Sequence, residues 1–317
     1  MKAPTKLFAL KLSIGFVALV TLSTAGVFAQ KSSSKLEWNL TLNETRGPLR
    51  SADVSTPVGK ASVSEILGGP TSGSINGYVI YTRMSSGAHG PALFTLPVED
   101  DYVVLSGSMG VQIGSDKFVA KPLTAVIIPA NVPHAIWNAS TELETNVEVI
   151  GSANPDKDLS RDLKSMLKPA SPRKVENAAQ YIREIKTPPA SELKPGLNRQ
   201  VIANMIKGSP ITVLFDSTLP GSGGPPTHVH TFEQVYFTVE GETTIPYGVD
   251  VLTAKKNDIV IIPPGVVHTN TNQSTGVERH LTLLLPEPTV VPYDTEFKKI
   301  GPIGSANPDF KGGPPHQ

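Results

Sequence analysis

Pro226-Thr-His-Val-His-Thr-Phe-Glu-Gln-Val-Tyr-Phe-Thr-Val-Glu-Gly241 is the stretch on which the reading of this chain turns. Residues two apart on a β-strand face the same way, so His228, His230, Gln234 and Tyr236 share one side. A second stretch follows, Asn257-Asp-Ile-Val-Ile-Ile-Pro-Pro-Gly-Val-Val-His-Thr-Asn-Thr-Asn272. It reads as a strand, a Pro-x-Gly turn and a new strand on which His268, Asn270 and Asn272 share a face. If the two segments pair, His268 joins the first set. Three neutral imidazoles and an amide oxygen suit a borderline divalent metal. A lone His-x-His is weak evidence, because histidine pairs are common on surfaces and in cores. The four donors in this order, with this turn, make the stronger case.

Working outward, the chain contains its own copy of this region. Residues 94–138 align without a gap onto 228–272. Glu99 falls on Glu233, Tyr102 on Tyr236, Gly107 on Gly241, His134 on His268 and Asn138 on Asn272. Asn131 stands where the other copy has Gly265. These two residue types adopt positive φ most readily, so both copies are expected to turn there in the left-handed region. A heptapeptide, Ile-Gly-Ser-Ala-Asn-Pro-Asp, recurs at 150–156 and 303–309. Its plain reading is a boundary element closing each copy.

The two segments resemble the paired motifs of the cupin superfamily. His228, His230 and Gly241 match the first motif, and Pro263, Gly265, His268 and Asn272 match the second. The duplication gives the chain the layout of a bicupin, as in the quercetinases. The fold that the resemblance implies is all-β, two tandem jelly-roll barrels joined by a short helical connector. The expected boundaries are 46–150 for a first, degenerate barrel, 151–195 for the connector and 196–300 for the metal-binding barrel. A tail follows at 301–317. Leu159, Leu163, Met166 and Leu167 predict one connector helix. A Ser171-Pro172 cap and the stripe through Val175, Ala179 and Ile182 predict a second. Residues 30–45 read as loosely ordered.

Two departures from the family pattern matter. The usual glutamate ligand is Gln234, so the expected set His228, His230, Gln234 and His268 carries no anion. That leaves a bound ion more electropositive, and it resembles the ligand set of some sugar-acid-processing cupins. Glu233 has the wrong parity to substitute and reads as a surface or interface carboxylate. In the first copy, Phe94, Leu96 and Asp100 replace His228, His230 and Gln234, and only His134 remains. That barrel is expected to be metal-free and structural.

Other pocket candidates rest on parity. Tyr236 could exchange a proton with substrate, or fill core space. Asn270 and Asn272 could hydrogen-bond substrate or backbone. Arg279 and His280 alternate on the last long strand, so one of the two faces inward; Arg279 would suit a carboxylate.

Composition bounds the rest. The 317 residues contain no Cys, which excludes disulfides, thiolate metal sites and thiol nucleophiles. Lys+Arg and Asp+Glu both number 28, with no basic stripe, so no nucleic-acid partner is expected. Residues 1–29 read as a secretory signal: Lys2, Lys6 and Lys11, an apolar run, and Val27-Phe28-Ala29 before Gln30. The expected location is periplasmic or secreted, with no membrane span after cleavage and a homodimer as one open oligomeric option. The expected cofactor is one divalent transition metal (Fe, Mn, Ni, Cu or Zn). The leading functional expectation is a dioxygenase acting on a small oxygen-rich, flavonol-like phenolic. The alternatives are redox-neutral Lewis-acid chemistry on a sugar acid, and a non-catalytic binding or storage protein.

Overall fold

Several of the described strands are buried at both parities. Gly77–Met84, Thr212–Thr218 and Glu278–Leu285 are buried at every position. A strand with two buried faces must sit between two cores, and the computed structural model places these strands there. It describes residues 37–74 and 76–286, together with the backbone of a strand at 297–299. The signal expected at 1–29, the second heptapeptide copy and the tail lie outside the described residues.

The first copy contains β1 (Glu37–Leu42), β3 (Ala61–Gly68), β4 (Gly77–Met84), β5 (Phe94–Thr95), β6 (Glu99–Ser106), β7 (Met109–Ile113), β8 (Asp116–Ala120), β9 (Thr124–Ile128), β10 (His134–Asn138) and β11 (Glu144–Gly151). A short strand β2 (Leu49–Ser51) lies between β1 and β3 in sequence. The connector supplies β12 (Lys168–Pro169) and β13 (Ile182–Glu184). The second copy contains β14 (Leu197–Ala203), β15 (Thr212–Thr218), β16 (His228–His230), β17 (Glu233–Glu240), β18 (Glu242–Tyr247), β19 (Asp250–Lys255), β20 (Asp258–Ile262), β21 (Glu278–Leu285) and β22 (Phe297–Lys299).

The first jelly roll packs a sheet in the order β1-β3-β4-β11-β6-β9-β13 over one in the order β12-β5-β10-β7-β8. In the second, the large sheet runs β14-β15-β21-β17-β20-β2. Its other face is made of the ladders β16-β22 and β18-β19, tied together by bridges His228↔His268 and Tyr247↔His268. The sheets do not close into complete barrels; each copy is a two-sheet jelly roll.

The largest core lies between the two copies. It joins Val79, Val103 and Val147 of the first to Val213, Phe215, Val235, Phe237 and Leu283 of the second. Tyr81 stacks on Phe237 across it, with ring centroids 6.3 Å apart. Close approach is steric as well as apolar: a side chain at Gly151 would meet Ile211 Cγ2 at 2.4 Å.

Three expectations are corrected. Residues 37–42 are not loose; they form β1, parallel to β3, with Trp38 Nε1 donating to Ser64 Oγ at 3.0 Å. The first jelly roll therefore begins before residue 46. The connector is not a pair of helices either. It holds two single turns, Pro155–Asp158 and Leu163–Met166, and two 3₁₀ turns, Ala178–Tyr181 and Ala190–Glu192. Helices so short are marginal by themselves. Residues of the second expected helix instead hydrogen-bond to β9, Ile182 opposite Val126, which covers an otherwise open sheet edge. The same device works in reverse: β2, between β1 and β3 of the first copy, pairs with β20 of the second, Leu49 opposite Val260. Each jelly roll thus completes its sheet with a strand from outside its own repeat, so the two copies are not separable at residues 151–195.

Candidate metal centre

The stretch quoted first folds as its parity requires. His228 and His230 lie on β16, Gln234 and Tyr236 on β17, and His268 follows the Pro263-Pro264-Gly265 turn. That turn needs left-handed backbone, and Gly265 has φ 81° while its counterpart Asn131 has φ 63°. Gly265 N–H then donates to His230 O at 2.9 Å, and His228 and His268 exchange backbone hydrogen bonds at 3.0 Å each way. The main chain therefore fixes the spacing of the histidines before their side chains meet anything.

One ligand atom from each of His228, His230 and His268 lies within 4.8 Å of the others, and all three residues are buried. Every Nδ1 faces a carbonyl: His228 to Pro226 O at 2.9 Å, His230 to Phe232 O at 2.7 Å, His268 to Val266 O at 2.9 Å. A carbonyl only accepts, so each Nδ1 carries the hydrogen and each Nε2 presents a lone pair. Burial favours the neutral form. It pushes the pKa of His228 to about 3 and of His230 to about 4, and holds that of His268 well below its ordinary value. His230 Nε2 is buried with no hydrogen-bond partner in the protein. Gln234 completes the group, its amide nitrogen 3.4 Å from His268 Nε2. The two ends of an amide exchange by rotation, so the same side chain can donate to that imidazole or offer oxygen to an ion. Converging unprotonated imidazoles with a buried Nε2 left over fit a divalent cation.

The group opens on a small cavity of about 10 Å³, lined by Arg199, Pro225, His228, Gln234, Tyr236, Asn270, His280 and Thr282. Asn270 is placed there, with Oδ1 accepting from Tyr236 O–H at 3.3 Å and Nδ2 buried without an acceptor. Tyr236 is fully enclosed; burial first, then the charge of Asp216, raises its pKa. Two candidates do not belong to the cavity. Asn272 is consumed by a turn: its Nδ2 donates to Thr218 O and Gly276 O, and its Oδ1 accepts from Ser274 N and Oγ. Arg279 takes the outward side of the alternation, where it meets Glu240 and Pro188 O. Its neighbour His280 faces the cavity instead. Glu233, expected at a surface or interface, is fully buried between the copies and accepts from Ser74 Oγ at 2.5 Å.

Parity from the quoted stretches could not reach Arg199 and Asp216, which lie on other strands. Arg199 on β14 grips Asp216 on β15 through two hydrogen bonds of 2.8 Å. Thr282 Oγ1 donates to the same carboxylate at 2.7 Å. His280 Nε2 lies 3.6 Å from it, and His280 Nδ1 is 2.7 Å from Glu278 Oε1. Desolvation lowers the pKa of His280, but Glu278 and Asp216 outweigh it and the net shift is upward. For Asp216, desolvation is outweighed by Arg199 and the net shift is downward. The sequence signal available was an aspartate directly after the apolar run Val213-Leu214-Phe215.

In the first copy the equivalent position is closed by a proton. Phe94 packs on His134 with centroids 4.3 Å apart, where His228 lies 4.2 Å from His268. His134 Nδ1 donates to Val132 O, so its Nε2 accepts, and the 2.9 Å contact to Asp100 Oδ2 takes its hydrogen from the acid. Burial drives both groups the same way, Asp100 up to about 7 and His134 down to about 4. Among the described residues, the three histidines of the second copy are the one group of at least three His, Cys or carboxylate side chains converging as ligands.

Residues 215–283 match the family described as the cupin domain. No curated protein sequence matches the chain. Solved structures align over most of its length. A serine-to-alanine variant of Bacillus subtilis oxalate decarboxylase covers 78% of this chain and 79% of its own at 14% identity, with TM-score 0.55. A two-residue deletion variant of the same enzyme covers 77% and 78% at 14% identity, with TM-score 0.56. At that identity the likeness is one of fold, two jelly rolls in tandem. Among the described residues no helix is long and apolar enough to cross a membrane.

Proposed function

We propose, from the premise that this chain belongs to the cupin superfamily as a bicupin, that its second jelly roll holds one divalent transition-metal ion and uses it to bind and convert a small oxygen-rich anion without net oxidation. His228, His230, His268 and Gln234 would hold the ion. When bound, such an ion supplies Lewis-acid polarisation of a coordinated oxygen. The rest is the work of this chain's side chains. Asn270 Nδ2 offers a hydrogen bond to a ligand oxygen, Tyr236 fixes the amide that carries it, and the enclosing strands exclude water.

The observation that carries the reading is the neutral ligand set opening on a cramped, polar cavity. A flavonol needs far more room than about 10 Å³, which is near the space of a single water. The cavity therefore favours the redox-neutral alternative over the phenolic dioxygenase. The fold relatives are named for a reaction of oxalate, a small oxygen-rich anion far smaller than a flavonol. Export through residues 1–29 is part of the proposal, and sequencing the mature N-terminus checks it, with Gln30 expected first.

Elemental analysis of the purified protein tests the centre. One transition-metal ion per chain is expected, lost in His228→Ala and His268→Ala and retained in His134→Ala. Equal loss from His134→Ala would refute the assignment. Oxygen consumption on adding flavonols or catechols to the metal-loaded protein would refute the redox-neutral reading and restore the dioxygenase.

A further inference from the structure

The duplication provides an internal control for every residue near the cavity. The 134-residue offset extends beyond the motif: Thr82 pairs with Asn146 as Asp216 pairs with His280. On the neighbouring strand, Ser64 faces Thr82 as Arg199 faces Asp216. The two copies can therefore be compared position by position. Some buried polar residues occur in both: Tyr102 and Tyr236, Asn138 and Asn272, Glu144 and Glu278. Asn138 even repeats the turn hydrogen bonds of Asn272. These belong to the fold.

A second group occurs only where the histidines are. Arg199 and Asp216 replace Ser64 and Thr82, whose hydroxyls meet at 2.8 Å. His280 replaces Asn146, which bonds Glu144 as His280 bonds Glu278. Asn270 replaces Ile136. The first copy builds the same sheet with hydroxyls and an amide at these three positions, and keeps its own acids Asp100 and Glu148 where the second has Gln234 and Thr282, so the fold does not require Arg199, Asp216 and His280. Burying charged groups is costly in desolvation, and an Arg-Asp-His group that occurs only beside the metal centre has another use.

We propose that Arg199, Asp216 and His280 are positioning residues that make the cavity beside the metal centre select a small anion. The inference rests on the metal-centre reading above. Around His280 stand Glu278 on its own strand, Asp216 on β15, Arg199 on β14 and Tyr236 on β17, whose ring lies edge-on at 4.9 Å between centroids. With His280 protonated, two cations balance two carboxylates. The charge of an ion on four neutral ligands is then left for the bound molecule to balance. Deprotonation of His280 leaves the layer with a net negative charge and opposes anion binding. Glu278 and Asp216 raise the His280 pKa above its ordinary 6.5, so anion affinity is expected to fall as pH rises above the ordinary imidazole range.

The test uses the full chain loaded with Co(II), read by its visible absorption bands and titrated with formate, azide and neutral formamide. The triple variant Arg199→Ser, Asp216→Thr, His280→Asn installs the residues that the first copy already accommodates. It is expected to bind Co(II) one to one but to bind formate and azide roughly tenfold more weakly, about 1.4 kcal/mol, without the pH-dependent loss seen in the parent. Formamide is expected to shift the bands of neither protein. The single variant His280→Asn, which keeps the Arg199–Asp216 pair, is expected to lose the pH dependence and serves if the triple variant does not fold. Anion affinity and pH profile unchanged in the variants would overturn the inference while leaving the metal centre intact. Failure of the parent to take up Co(II) would overturn both.

Discussion

At the scale of single residues, the site is set by side chains whose neighbours allow one role. Each of His228, His230 and His268 spends Nδ1 on a carbonyl of the main chain two residues away, which leaves Nε2 as the only ring atom that can coordinate. Gln234 rather than a carboxylate keeps the group neutral. Parity alone could not separate Asn270 from Asn272, because both share one face of an extended segment. The structure separates them: the chain turns after Thr271, and Asn272 bonds Thr218 O and Gly276 O while Asn270 stays in the cavity. The left-handed turn before His268, and its counterpart before His134, was legible because only some residue types tolerate that conformation. Replacing Asn131 by Val is expected to destabilise the protein by about 1–2 kcal/mol, whereas Asn131→Gly costs well under that. Urea unfolding of both variants checks it, and equal midpoints would show that the turn is not strained.

At the scale of elements, the strands followed from their apolar alternation, and their full burial from packing on two sides. The connector did not follow. Helical spacing over Val175, Ala179 and Ile182 satisfies a pattern of apolar positions, but a pattern does not say what else competes for the same backbone. Here β9 offers an unpaired edge and the segment completes it as β13, as β2 completes β20. Nothing local distinguishes a short amphipathic helix from a strand recruited by a distant edge. The reciprocal exchange also explains why both copies exist in one chain: each sheet ends on a strand from outside its own repeat.

At the scale of the whole molecule, the contact between the copies contains buried acids. Glu99 meets Ser209 of the other copy, and Glu233 meets Ser74, a near-symmetric pair of contacts. Burial raises the Glu99 pKa to about 7, outweighing the hydrogen bond that Ser209 Oγ donates to it, which lowers it. Burial raises Glu144 to about 8. Both folded values lie above the ordinary 4.5, so the folded state binds more protons than the unfolded chain. The resulting stability is fully present below the ordinary carboxyl range and is lost as pH rises to about 8. Above about pH 6.5, where the buried metal-centre histidines are neutral in both states, calorimetry is expected to show Tm falling by roughly 5 °C up to about pH 8, less steeply in Glu99→Gln. A Tm that rises over that interval would contradict the buried protonated acids.

The sequence by itself determined the duplication, the jelly-roll strands, the left-handed turns and the grouping of His228, His230 and His268, because each depends on periodicity or on the conformational limits of residues near one another in the chain. Only the tertiary structure decided that Arg199, Asp216 and His280 surround the cavity, that Arg279 and Asn272 stand away from it, and that the copies exchange strands. Those outcomes depend on which distant strands become neighbours, and that is fixed by burial of the shared core rather than by any local preference.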